Sequence, residues 1–153
     1  SNGSSTTYNT SSDYRLKENV DYTWDATSRL KQLKPARFNW IADDTNTLQD
    51  GFLAHEVSSI VPEAVSKTKD ATRTLTNVVL DANGKVINSK ITKDKWEHGK
   101  KEDEDGNRVF PTNSTWEASK EVPDYQTIDE SKLVPLLVKT VQELEARIAT
   151  LEG

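Results

Sequence analysis

The most regular pattern lies at the C-terminus, where Val134, Leu137, Val141, Leu144, Ile148 and Leu151 recur at alternating spacings of three and four. That period is an a/d seam and predicts a helix over 130–152, opened by Asp129 or Ser131 as its cap. Leu133, Leu136 and Val138 widen the stripe at the N-terminal end, so that half is expected to dock on the globular part. The second half, flanked by Glu143, Glu145, Arg147 and Glu152, reads as a self-association surface. An amphipathic helix folded onto its own domain is the plainer alternative.

Upstream, shorter patterns predict smaller elements. Asp25 can cap a short helix that carries Leu30 and Leu33 and stops before Pro35. Arg37 to Ile41 partly alternates and reads as a strand, followed by a polar loop from Asp43 to Asp50. Leu53, Val57, Ile60 and Val61 form one stripe of a helix over Ala54 to Ile60, ended by Pro62. Thr74 to Leu80 and Lys85 to Thr92 flank Asp81-Ala82-Asn83-Gly84, a hairpin signal. A second turn, Asp105-Gly106-Asn107, precedes Arg108-Val109-Phe110, and Trp96 and Trp116 follow the two turns in an echo too weak to be a repeat. Both Trp residues are expected to anchor hairpins, with a contact surface as the alternative use, and Lys100 to Asp105 reads as a solvated loop tip. The expected class is α+β: short helices and hairpins followed by a long C-terminal helix in a trimeric coiled coil or bundle.

Residues 1–11 lack any large aliphatic side chain and read as a linker, a cloning remnant or the end of something upstream. Residues 12–153 form the domain, with 70–122 set apart in character and 130–152 as the oligomerisation helix. The missing initiator Met suggests a fragment or a processed product.

Composition sharpens the question of assembly. Hydrophobic residues are 33% of the 153, and adding the glycines still falls short of the roughly 45–50% apolar share of a typical globular domain. A core that thin makes a self-sufficient monomer doubtful, so other copies are expected to complete it. The net charge of -5 argues against nucleic-acid binding, and no apolar run approaches a membrane span. With no Cys and only two His, thiolate chemistry and a metal site are not expected, nor is any cofactor.

The candidate chemistry lies in Ser12-Asp13-Tyr14-Arg15-Leu16-Lys17-Glu18-Asn19-Val20. A Ser–Lys dyad needs the hydroxyl within hydrogen-bond reach of a neutral amine. Five residues span about 140° around a helix axis, so a continuous helix would keep Ser12 and Lys17 apart and a turn is required. On physics alone, a surface Ser and a surface Lys are the default. Arg15 could supply positive charge near Lys17, while Asp13 and Glu18 oppose it.

This block resembles the start of the intramolecular chaperone domain called peptidase S74, found at the C-terminus of phage tail fibres, tailspikes and endosialidases. The resemblance continues through Leu30-Lys31-Gln32-Leu33-Lys34-Pro35, Phe38-Asn39-Trp40, Gly51-Phe52-Leu53-Ala54-His55-Glu56-Val57 and Pro62-Glu63-Ala64-Val65. It resumes at Leu133-Val134-Pro135-Leu136-Leu137-Val138 with Val141-Gln142-Glu143-Leu144. Residues 70–122 match loosely.

The resemblance implies a homotrimeric chaperone that registers an upstream β-rich fibre of the same polypeptide and then cuts itself off, a serine endopeptidase acting once. It implies Ser12 as nucleophile, Lys17 as general base and the Ser11–Ser12 bond as the scissile one. Asp13 and His55 are possible auxiliaries. Asp13 orients the turn or is a surface carboxylate. His55 stands where such domains more often have Gln, as a proton-transfer helper or a helix-surface polar group. The implied setting is the bacterial host cytoplasm during virion assembly, with release after cleavage or retention on the tail. A non-cleaving trimeric cap or receptor-binding tip is the alternative, and a membrane-tethered regulator finds no support in the sequence.

Overall fold

A computed structural model describes residues 11–153. Of the N-terminal segment read as a linker, only Ser11 falls within the described residues.

A 3-10 turn, Tyr14–Leu16, opens the described chain. Helix α1 (Thr27–Leu30) follows, then strands β1 (Ala36–Phe38) and β2 (Gln49–Gly51), helix α2 (Ala54–Ser58), a 3-10 turn at Pro62–Ala64, and β3 (Val65–Ser66). Next come β4 (Thr72–Leu80), β5 (Val86–Asn88), helix α3 (Lys93–Gly99), β6 (Thr115–Pro123) and β7 (Thr127–Ile128). The chain ends in a 3-10 turn, Glu130–Leu133, that runs directly into helix α4 (Val134–Glu152). This is an α+β arrangement of short helices, small antiparallel sheets and one long helix.

The principal core joins the two ends of the chain. Ala26, Val57, Val61, Ala64, Leu133 and Leu136 are buried together, with Trp24, Leu30, Leu33, Phe52, Ile60, Val65 and Ile128 packed around them. Each buried Val or Leu of this set contributes about 1.5–3 kcal/mol, and each Ala less. Of the α2 stripe, Val57 and Val61 are buried, whereas Leu53 is exposed at the helix start. Two polar ties close the core: β3 pairs β7 antiparallel, and the Asp129 N–H donates to the Ala64 carbonyl at 2.7 Å.

Several boundaries differ from the sequence reading. The polar loop expected over Asp43 to Asp50 contributes β2, which pairs with β1; Gly51 lies so close to the Phe38 ring that a Cβ there would sit 3.0 Å from Cε1. The strand expected to reach Thr92 stops at Asn88, because the Thr92 hydroxyl accepts the Lys95 N–H at 3.3 Å and starts α3 instead. Trp96 therefore lies on a helix. The turn at Asp103 to Asn107 closes as expected, through Asp103 N–H to the Asn107 carbonyl, and Arg108 to Phe110 after it do not form a strand.

Residues 70–122 build their own sheet in the order β5-β4-β6, with β4 and β6 paired along their length. Val78, Val79, Leu80 and Phe110 are buried in it. Trp96 donates to the Ser114 hydroxyl at 3.0 Å and Trp116 to the Ile91 carbonyl at 2.7 Å, so both rings anchor this region.

Helix α4 has two working faces. Leu136 and Thr140 are buried, and Glu143 continues that face toward α1. The seam occupies a neighbouring face and is open: Val134, Leu137, Val141, Leu144, Ile148 and Leu151 are 41–87% exposed. Val138, expected to dock, is also exposed and extends the open face, because it lies one helical turn from Val134 on the seam side. Together these side chains make one contiguous exposed apolar stripe along α4, the kind of patch that marks an interaction surface rather than the scattered apolar residues of an ordinary surface.

Candidate functional site

Local hydrogen bonding builds the Ser12–Lys17 site. The Asp13 carboxylate accepts the Arg15 backbone N–H at 2.9 Å, which starts the 3-10 turn. The Leu16 N–H then donates to the Asp13 carbonyl and the Lys17 N–H to the Tyr14 carbonyl, both at 3.1 Å. At Lys17 the backbone returns to an extended conformation, so its side chain swings back over the turn. The result is a 2.6 Å hydrogen bond from Lys17 Nζ to Ser12 Oγ. A turn, not a helix, brings the hydroxyl and the amine together.

The surrounding charges are arranged in order. Arg15 grips Asp13 as a fork, Nε on one carboxylate oxygen and Nη2 on the other, both at 2.9 Å. This pairing holds the Asp13 carboxyl below the usual carboxylate range, first through the Arg15 side chain and then through its backbone N–H. The same pairing raises Arg15. Asp13 therefore orients the turn, and Arg15, which sequence reasoning treated only as a charge near Lys17, is its partner. The signal was present as an acidic and a basic residue two apart within a turn.

The site stands in the open. Ser11, Ser12 and Lys17 are exposed, and the segment displays Tyr14, Leu16, Val20 and Tyr22 to solvent. Its far end is tied to α4, where Lys139 Nζ donates to the Tyr22 carbonyl at 2.7 Å. His55 lies on the exposed side of α2, where it borders one cleft with Lys69, Asp70, Asp124 and Tyr125 and another with Lys31, Lys34 and Glu56. Neither cleft contains Ser12, Asp13 or Lys17. Among the described residues, no group of three or more His, Asp or Glu is placed to hold a metal ion, and no helix is long and apolar enough to cross a membrane.

Residues 12–66 match the Peptidase S74 family, whose description is chaperone of endosialidase. The matched span begins at Ser12 and ends in β3. It takes in α1, α2 and the Tyr14–Leu16 turn; the C-terminal block 133–144, which also carried the resemblance, lies beyond it. No curated protein matches the chain. The family description supports an intramolecular chaperone role.

Proposed function

We propose that the chain is a trimeric intramolecular chaperone for an upstream β-rich fibre or tailspike segment, and that it releases itself by cutting between Ser11 and Ser12. The observation that carries the reading is the 2.6 Å contact between Lys17 Nζ and Ser12 Oγ at the first residue of the family match.

The chemistry is an acyl shift followed by hydrolysis. A neutral Lys17 amine takes the Ser12 hydroxyl proton as the oxygen attacks the Ser11 carbonyl carbon. The tetrahedral adduct collapses as that proton passes to the Ser12 nitrogen, so the Ser11–Ser12 amide is exchanged for an ester. Water then adds to the ester, restores the Ser12 hydroxyl and leaves Ser11 with a new carboxylate and Ser12 with a free amino group.

Assembly gives the reaction its timing. A lysine loses its proton readily only when burial or a neighbouring cation disfavours the charge, and in the lone chain Lys17 is exposed. Three copies joined along the α4 seam cover the dyad segment and turn the base on. Long β-rich chains must meet in register while their strand edges invite aggregation. A trimeric module makes their later contacts intramolecular, at high effective concentration. Cutting it away afterwards leaves a fibre whose persistence depends on slow unfolding. The setting is the bacterial host cytoplasm during virion assembly.

Intact mass of the chain with its natural upstream segment tests the reading. The expected product begins at Ser12 and disappears in both Ser12→Ala and Lys17→Ala. A full-length product that still assembles would instead mark a permanent cap.

A further inference from the structure

We propose that Arg15 is a positioning residue for the dyad: its guanidinium occupies both oxygens of Asp13 and so keeps that carboxylate from pairing with Lys17. The inference rests on the cleavage reading above and deepens it.

The geometry presents a competition. Ser12 and Lys17 lie on either side of a turn whose cap is a carboxylate. An ammonium and a carboxylate on one short exposed turn are natural partners, and such a pair would hold Lys17 protonated and draw it from Ser12. That pair does not form. One Asp13 oxygen receives the Arg15 backbone N–H and Nε, the other receives Nη2, all at 2.9 Å. Lys17 Nζ is left with the Ser12 hydroxyl. The charged groups of its own segment are Asp13, Arg15 and Glu18. Among the described residues, neither Glu18 nor a carboxylate of any other element forms an ion pair with it. A planar fork suits this task, because it occupies two oxygens at once where a lysine would occupy one.

Two variants of the full chain with its upstream segment test the assignment. Arg15→Ala frees a carboxylate oxygen. Asp13→Asn/Arg15→Ala removes the negative charge yet keeps a side-chain acceptor for the capping N–H. Two quantities are read by mass spectrometry: the rate of cleavage across pH, and the rate at which Lys17 is acetylated by an N-hydroxysuccinimide ester, which attacks only the neutral amine. In Arg15→Ala both rates at neutral pH fall about five-fold, the scale of one exposed ion pair, and the pH–rate profile of cleavage moves to higher pH. In the double variant both rates return toward those of the natural chain. A purely structural role for the Asp13–Arg15 fork predicts a double variant no better than the single one, and that result overturns the assignment. Unchanged rates in Arg15→Ala overturn it equally. If acetylation follows the expected pattern while no form is cleaved, the Arg15 assignment stands and the cleavage reading falls.

Discussion

The Glu143 carboxylate, midway along α4, accepts the Thr27 backbone N–H at 2.8 Å across 116 residues of chain. It also accepts the Ala26 N–H at 3.0 Å and the Thr27 hydroxyl. The N-cap residue of α1 is Ala26, which offers no side-chain acceptor. Of the backbone N–H groups, Asp25, the expected cap, reaches only that of Ser28, at 3.4 Å, and α4 supplies the acceptor for the Ala26 and Thr27 N–H groups. A carboxylate at a helix N-terminus also meets the favourable end of the helix dipole. Replacing it by Glu143→Ala is expected to lower Tm by about 3 °C and to raise amide exchange in α1 before the rest of the core.

Acid should reach the same joint. The Thr27 hydroxyl, and after it the Ala26 amide, hold the Glu143 carboxyl below its ordinary value. A group with a depressed folded value contributes its full stabilisation above its unfolded value and loses it as pH falls through the folded one. The α1–α4 joint is therefore expected to weaken as pH drops below the ordinary glutamate range near ~4.3. Thermal melts across that window should show the natural chain losing stability and Glu143→Gln losing less.

Gly99 closes α3 against the Phe110 ring. A Cβ at this position would meet Cδ2 at 2.6 Å and Cε2 at 2.9 Å. Gly99→Ala is expected to destabilise the sheet region by about 1–3 kcal/mol. Its mark should be accelerated amide exchange in β4 and β6, with α1 and α4 little changed.

The two faces of α4 predict opposite phenotypes. Leu136 is 3% exposed in the core, so Leu136→Ala should cost about 2–5 kcal/mol whatever the protein concentration. Leu144 is 41% exposed on the seam. Leu144→Asp should leave the circular dichroism of the chain near normal and abolish self-association in light scattering. It should also slow cleavage, because the dyad is then never covered.

The sequence revealed most where a period was long or a turn was chemically specific. The α4 seam was legible because six apolar residues hold one spacing, and the Asp81 to Gly84 turn because Asp81 accepts the Asn83 and Lys85 N–H groups while Gly84 takes a φ of +78°. Strand β6 was not, since Thr-Trp-Glu-Ala-Ser-Lys-Glu-Val-Pro carries no clean alternation and is held by its pairing to β4. Strand β2 was too short and polar to stand out from a loop. At the site, the need for a turn between Ser12 and Lys17 was readable from helix geometry, whereas the forked grip of Arg15 on Asp13 depends on side-chain placement. Glu143 was read as a seam flank. Its partner lies too far along the chain for any local pattern to reveal.

Native mass spectrometry of the chain with its upstream segment tests the central claim most directly, because one spectrum reports both copy number and covalent state. The account predicts a complex of three fragments, each beginning at Ser12. Single-chain species, or trimers in which the Ser11–Ser12 bond is intact, would contradict it.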